Sequence, residues 1–376
     1  MNIQEIEAKS VLKKAKNIDS WFISKQGMNL YRGCFHNCSY CDGRAEKYRV
    51  EGTFNEDLSV KTNAPRLLDK ELDPKRKRKT DGKAYVMLGG GVNDSYQPLE
   101  KKYELSRKAL GTLKKYHHPV HILTKSTLVK RDFDLIQDIN LQNSAILSFS
   151  FSTVDENIAR KFEPGVPSPS ERLKTIEKFS SADIPCGMFL MPVIPYVSDT
   201  REKMEASEKA AIDAGCRFII FGGMTLKEGR QKSHFQKILT SYDHSLSEKY
   251  ENLYGAKGPY GQAKTSYYIQ IQKVFNEIVS RFKIPLRVPA ELYQNLLGTN
   301  DLIFVILDQM SYLRRIRGQK THLGKEARII SKLKKPLDKG LFGLEPIEGI
   351  STETMKLVDE ILETGTSKEY EGLLCL

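Results

Sequence analysis

The feature that most limits how this chain can fold is an alternation. Between residues 27 and 223, six short apolar runs recur, separated by stretches of helical periodicity. The runs are 27–32, 84–89 (AYVMLG), 119–124 (PVHILT), 145–152 (AILSFSFS), 185–193 (PCGMFLMPV) and 217–222 (RFIIFG). Each is too short for a buried helix and rich in strand-forming residues. Between them, Tyr103, Ser106, Leu110 and Leu113 mark one helical face, and Leu173, Ile176 and Phe179 another. The second of these helices has an explicit start: Ser168 can cap it, Pro169 suits the first helical position, and Glu171 sits three residues after the cap. A helix over 201–214 ends at Gly215, which suits a left-handed cap. Strands alternating with helices build parallel βα units. Six in succession predict an α/β fold curling into a partial (βα)6 TIM-type barrel, with a doubly wound open sheet as the alternative.

Beyond residue 230 the pattern becomes mostly helical. Tyr267, Ile271, Val274, Ile278 and Phe282 mark a long amphipathic helix, 284–292 (IPLRVPAEL) reads as a short extended segment, and 301–317 and 352–363 read as further helices. GAKGPYG (255–261) lacks phosphate-loop spacing and reads as a linker or lid. The 376 residues thus divide into an N-terminal segment (1–26), a barrel (27–230) and a helical C-terminal extension (231–376). No run approaches the roughly 18 apolar residues of a membrane span. The charged start, MNIQEIEAKSVLKK, has no signal-peptide core, so the expected location is the cytoplasm, without membrane contact.

In such barrels the chemistry sits on the loops after the strands. The first of these loops reads NLYRGCFHNCSYCDGR and places Cys34, Cys38 and Cys41 in Cys-x3-Cys-x2-Cys spacing. Three soft thiolates on one loop can hold three irons of a cubane cluster and leave the fourth open to a small ligand. Zinc is the rival reading. A structural zinc needs a fourth ligand, and His36 is wedged inside the triplet, which leaves distant His117 or His118. The other three cysteines, Cys186, Cys216 and Cys375, are expected to pack as small buried hydrophobes.

This spacing after the first strand of a βα repeat resembles the radical S-adenosylmethionine (SAM) superfamily. The resemblance covers roughly residues 27–223. It implies that Cys34, Cys38 and Cys41 carry a 4Fe-4S cluster whose open iron chelates SAM. It further implies that an electron, supplied by a reductant such as a flavodoxin or ferredoxin, cleaves SAM to methionine and a 5′-deoxyadenosyl radical. Gly89, Gly90 and Gly91 resemble the family's glycine-rich segment beside the methionine amino group; a bare turn is the plainer reading. Lys125 is then placed to pair with the methionine carboxylate, Ser150 to hydrogen-bond nearby, and Tyr40 to lie near adenine.

Longer stretches, NDSYQPLE (93–100), LTKSTLVKRDFDLI (123–136), SFSTVDENIARKFEPGVPSPSERL (150–173) and MPVIPYVSD (191–199), resemble spore photoproduct lyases and their DNA repair photolyase-like relatives. Two departures stand out. Gly91 occupies the place of the lyases' hydrogen-donor cysteine, and Asp42 the place of a tyrosine implicated in returning the radical. The same first step on a different substrate is therefore expected. Tyr96 is the candidate radical relay, with loop packing as its alternative role.

Charge bears on the substrate. Residues 74–83 hold six basic and one acidic side chain, residues 308–335 nine basic and two acidic, and together these account for the whole net charge of +12. Localised positive charge, with Tyr85 and Tyr312 nearby, is the footprint expected for a nucleic acid, read through its phosphates. Solvated surface is the plainer alternative. Three readings follow: a radical SAM enzyme acting on nucleic acid by lyase-like repair or modification, the same chemistry on a peptide or small metabolite, and a non-catalytic nucleic-acid-binding protein with a structural metal loop.

Overall fold

The structure, a computed structural model, describes residues 2–48, 52–75, 84–90, 92–255, 260–337 and 347–375. Its strands in chain order are β1 (Asn2–Ile6), β2 (Leu12–Asp19), β3 (Ser24–Met28), β4 (Tyr31–Arg32), β5 (Asp57–Lys61), β6 (Tyr85–Leu88), β7 (Val120–Thr124), β8 (Ala145–Phe151), β9 (Cys186–Val193) and β10 (Cys216–Gly223). Six of them pair in parallel and in strict sequence order, β3-β6-β7-β8-β9-β10. A doubly wound sheet reverses its order at a switch point. This one never does, so it is the singly wound sheet of a partial TIM-type barrel, with β2 as an antiparallel edge strand on β3.

Five of the six strands lie within a residue or two of the runs read from the sequence. The first does not. The barrel strand is Ser24–Met28, and Tyr31–Arg32 leaves it to pair with β5 in a separate sheet of order β1-β5-β4. The apolar run 27–32 spans both pieces, and which sheet each piece joins depends on partners distant in sequence.

The barrel interior is aromatic. His121 on β7 is fully buried with the rings of Phe22, Tyr85, Phe189 and Phe218 around it, the farthest centroid 6.5 Å away. Its Nε2 lies 2.8 Å from Ser148 Oγ and its Nδ1 3.0 Å from the Phe22 carbonyl. Burial lowers its pKa to about 4. Tyr85 is sealed in this core, with its hydroxyl on Ser144 and the Leu292 carbonyl, so it is not a surface aromatic for a nucleic acid.

The helix Pro169–Ser180 starts with the expected capping box between Ser168 and Glu171, and Arg201–Asp213 ends before Gly215, whose φ is +84°. The long helix is Thr265–Phe282. Segment 284–292 joins no ladder. Ile219 N–H donates to the Pro285 carbonyl at 2.8 Å and Leu286 N–H to that of Leu374 at 3.1 Å, but Pro285 and Pro289 have no amide to give, and the segment ends in a 3-10 turn, Ala290–Leu292. The basic stretch beyond 308 is two helices, Thr299–Ile316 and Leu323–Ile330, separated at Gly318 (φ +76°). The first buries Ile303, Ile306, Leu307, Met310 and Leu313 in the same core as the barrel strands. Gln309 on it donates to the Ser20 carbonyl at 2.9 Å, tying the extension to the β2 edge of the barrel. Cys186 is buried as expected, whereas Cys216 and Cys375 are only partly covered, because both line a surface depression under the barrel. Among the described residues no helix is long and apolar enough to cross a membrane.

Candidate functional site

At the carboxyl ends of the strands lies a cavity of about 360 Å³. Cys34, Cys38, Cys41, Tyr40, Gly90, Lys125 and Ser150 all line it, together with His36, Asp42 and Asp94. Residues from the first, second, third and fourth βα units therefore converge, as the barrel reading requires. Gly89 sits just behind the wall. Its φ of +100° and the Leu123 carbonyl, 2.4 Å from where a Cβ would stand, leave no room for a side chain. Gly90 faces open space, its nearest neighbour to such a Cβ being Asn29 Oδ1 at 3.9 Å. Gly91 lies outside the described residues.

The cysteine loop is held from two sides. On one, Gln97 bridges it, accepting from Phe35 N–H at 3.0 Å and donating to the Gly33 carbonyl at 3.1 Å, while Asn93 donates to the Tyr31 carbonyl at 2.7 Å. On the other, Ser39 N–H donates to the Phe162 carbonyl and Gly165 N–H to that of His36. Gly165 must be glycine here, because a Cβ would stand 2.6 Å from the Phe35 carbonyl. His36 is a brace: Nδ1 lies 2.9 Å from the Gly165 carbonyl and Nε2 3.2 Å from Asp94 Oδ2. Nδ1 is engaged by that carbonyl, whereas Nε2 approaches Asp94 without an aligned hydrogen bond.

Glu163 organises the electrostatics. Its buried carboxylate meets Lys125 Nζ at 2.9 Å, Arg172 Nη2 at 2.8 Å, Ser152 Oγ at 3.0 Å and the Tyr40 hydroxyl. Burial alone would raise its pKa, but Lys125, Arg172 and the Tyr40 hydrogen bond outweigh it and bring the value to about 2. Lys125 also reaches the Ser150 carbonyl at 3.3 Å and lies 5.6 Å from the Tyr40 ring centre. Two cations against one carboxylate leave a positive excess, and of the two cations Lys125 lines the cavity. Asp94 accepts from Thr124 Oγ1, Lys125 N–H and Tyr96 N–H. Its burial works to raise its pKa, yet His36 and these amides hold it below the ordinary carboxylate value. Ser150 Oγ is spent on the Met191 carbonyl at 2.9 Å.

Asp42, directly after the last cysteine, latches the loop to the end of β10. Its Oδ1 accepts from Thr225 Oγ1 at 2.8 Å and Gln231 Nε2 at 3.0 Å, and its Oδ2 lies 2.6 Å from Lys227 Nζ. Tyr96 is the exception among the expected residues. It is fully buried, does not line the cavity, and its phenol faces Asp132 and Glu100, with burial first among the causes that push its pKa up. The loop 93–100 bends to place Gln97 on the cysteine loop, which turns Tyr96 into the core. Its place in this structure is in the loop's packing, off the cavity wall.

The donor set suits an iron–sulfur cluster. All three cysteines are free and share one cavity, and burial raises each thiol, Cys38 to about 12, so thiolates here need a cation beside them. Among the described residues no three His, Cys, Asp or Glu side chains gather tightly enough for one ion. A cubane, whose three liganded irons sit at separate corners, spreads its sulfurs more widely than a single tetrahedral zinc does.

Residues 28–207 match the model of the radical SAM superfamily. They belong to it. The superfamily implies a 4Fe-4S cluster and SAM. An uncharacterized protein of Mycobacterium tuberculosis is 29% identical over 289 residues, 76% of this chain and 82% of that one. One of Methanocaldococcus jannaschii is 27% identical over 256 residues, 68% and 86% of the two chains. The fold is also that of spore photoproduct lyase complexed with dinucleoside spore photoproduct, at TM-score 0.56 and 14% identity over 74% of this chain and 79% of that one. A variant of that lyase with bound AdoMet and the same dinucleoside gives 0.55.

Sequence reasoning missed Glu163, Arg172 and Asp94 as individual site residues, although all three lie inside the stretches that carried the resemblance. Nothing local marks them. The only available sign was a set of charged residues in the loops after strands, where an ordinary barrel would also have solvated ones.

Proposed function

We propose that this radical SAM enzyme holds a 4Fe-4S cluster on Cys34, Cys38 and Cys41, binds SAM in the adjoining cavity and acts on a nucleic acid by lyase-like repair or modification. The carrying observation is that the three cysteines and Lys125 line one cavity at the carboxyl ends of the strands. When bound, the cluster supplies the electron that cleaves SAM to the 5′-deoxyadenosyl radical, drawn from a partner such as a flavodoxin or ferredoxin.

The chain's own residues orient and exclude. Lys125, held by Glu163, offers positive charge to a carboxylate, and Gly90 leaves backbone-level space beside it. The buried braces through Gln97, His36 and Asp42 keep the cysteine loop from swinging, so reacting groups meet at fixed positions. The substrate reading is supported by the fold shared with a lyase that takes a dinucleoside photoproduct, and by the basic segments 74–83 and 308–335. Residues 76–83 lie outside the described residues. Among the described residues of the cavity wall the only thiols are the three of the loop, and Asp42 is tied up by Lys227, Thr225 and Gln231. A hydrogen-return route like that of the lyases therefore has no counterpart in these groups, which favours a different lesion or a modification over photoproduct repair.

The test is anaerobic reconstitution with iron and sulfide, followed by incubation with reductant, SAM and cellular DNA or RNA. Expected are 5′-deoxyadenosine and a mass change in the nucleic acid, both absent for Cys38→Ala. One equivalent of zinc without iron after anaerobic purification overturns the cluster. A mass change confined to peptides or small metabolites overturns the substrate class.

A further inference from the structure

The helix Thr265–Phe282 has one face on the barrel and one that, among the described residues, is left as the wall of an open groove. Thr265, Ile269, Gln272, Asn276 and Ser280 repeat at helical spacing along a groove of about 980 Å³, whose other wall is the end of Thr299–Ile316. At 1.5 Å per residue the helix face from Thr265 to Ser280 runs about 22 Å, or roughly six stacked nucleotides at about 3.4 Å each. One end of the groove lies next to the cysteine cavity. Tyr268 lines it and donates to the Met224 carbonyl at 2.7 Å, and Met224 and Gly223 line the cysteine cavity on the other side. At its far end it meets a second depression of about 430 Å³, and Arg315 belongs to both.

The charge of the two depressions is one-sided. Lys273, Arg315, Arg317, Lys325, Arg328 and Lys332 line them, against Glu277 and Asp308. Both acids are answered from elsewhere: Glu277 pairs with Arg201, and Asp308 accepts from Ser20 and lies near the buried Arg287. Among the described residues none of those six cations has an ion-pair partner, in contrast to Arg314 one residue away, which is held by Glu369 and Glu353. The floor is apolar as well as charged. Ile269 is 66% exposed, and Tyr268, Tyr312 and Ile316 lie along the same groove.

We infer that this groove seats a single-stranded nucleic acid leading to or from the radical site, its phosphates on the cations and its bases on the apolar floor. This rests on the reading of the chain as a nucleic-acid enzyme and specifies the strand form and its path. Cations alone suit any polyanion, but a duplex hides the faces of its bases and has no use for an exposed isoleucine between tyrosines. An unpaired strand meets both parts of the surface.

The experiment is fluorescence anisotropy of the reconstituted full-length protein with a labelled 15-nucleotide DNA, the same RNA and a blunt DNA duplex, from 50 to 300 mM salt. A single strand is expected to bind at least about tenfold tighter than the duplex, with affinity falling as salt rises. Lys273→Glu with Arg315→Glu is expected to weaken strand binding at least about tenfold and to flatten the plot of log affinity against log salt by about 1.4, two single-strand phosphates' worth. Ile269→Ser is expected to weaken it about threefold without changing that slope. Lys108→Glu, on the helix Leu105–Lys115 that links β6 to β7 and lines neither depression, serves as the charge control and should change neither. Equal affinity for duplex, an unaltered strand affinity in the double reversal, or displacement of the strand by an acidic peptide at equal charge overturns the inference. Formation of 5′-deoxyadenosine by the unmodified holoenzyme without nucleic acid separates the two levels. Cleavage without strand binding refutes the groove alone, and strand binding without cleavage refutes the radical chemistry alone.

Discussion

The cavity and the groove are both charged, and they handle charge in opposite ways. Around the cysteines, Glu163, Lys125, Arg172, Asp94, Asp42 and Lys227 are all paired, and Glu163 and Arg172 are essentially sealed from solvent. Along the groove, Lys273, Arg315, Lys325, Arg328 and Lys332 are exposed and unpaired among the described residues. Buried pairs cost desolvation and return fixed geometry, whereas exposed cations cost little and return long-range attraction that salt can screen. One arrangement suits a place where atoms must be positioned, the other a place where a polyanion must be caught and released.

The largest expected effect falls on the buried side. Cys38→Ala should remove the cluster and lower 5′-deoxyadenosine formation by about a thousandfold or more, read by iron and sulfide content and by product analysis. Retention of iron at the native level would break the assignment. Next comes Glu163→Ala, which strands the buried Arg172 and the half-buried Lys125. It should cost about 3–5 kcal/mol in denaturant unfolding and vary little between low and high salt. A cost that vanishes in 0.5 M salt would mean the network is solvent-screened like the groove, and the contrast would collapse.

A third test uses pH on a buried group outside the cysteine site. The His121 pKa is lowered to about 4 by burial, below its ordinary value of 6.5, so the unfolded chain takes up the proton first. Stability should therefore be fully present above about pH 6.5 and fall as pH drops toward 4, by about 2 kcal/mol between pH 7.5 and pH 5 from this residue alone. His121→Gln should remove that part of the slope in urea titrations at a series of pH values; an unchanged slope would assign it elsewhere. The smallest effect is assigned to Tyr96→Phe. With its phenol off the cavity, SAM cleavage and substrate turnover should stay within about threefold and stability within about 1 kcal/mol. A loss of turnover beyond about a hundredfold would restore it as a relay.

Much of the fold was readable before any coordinates. Five barrel strands, the Ser168 capping box and the Gly215 cap are local matters, because hydrophobic period and turn chemistry act over a few residues. The split of 27–32 between two sheets was not readable, since β4 finds its partner in β5, which follows only after the cysteine loop. The same divide runs through the site. Cys34, Cys38 and Cys41 stand within eight residues, so their spacing alone announces a shared job. Glu163 and Arg172 are far in sequence from Lys125, and Asp42 is far from Lys227, so their pairing appears only when the barrel closes.

What the chain's order of residues settled by itself is therefore the alternation of strands and helices and the loop that carries three thiols, whereas the singly wound order of the strands came from their pairing. The alternation and the loop are written in short-range pattern. Tertiary structure alone decided which charges neutralise one another, why Tyr96 turns inward while Gln97 braces the cysteine loop, and which basic residues remain unpaired. Arg314 and Arg315 make the point: they are neighbours in sequence with the same side chain, yet successive helix positions point about 100° apart. One meets the carboxylates of Glu353 and Glu369, and the other opens onto the groove.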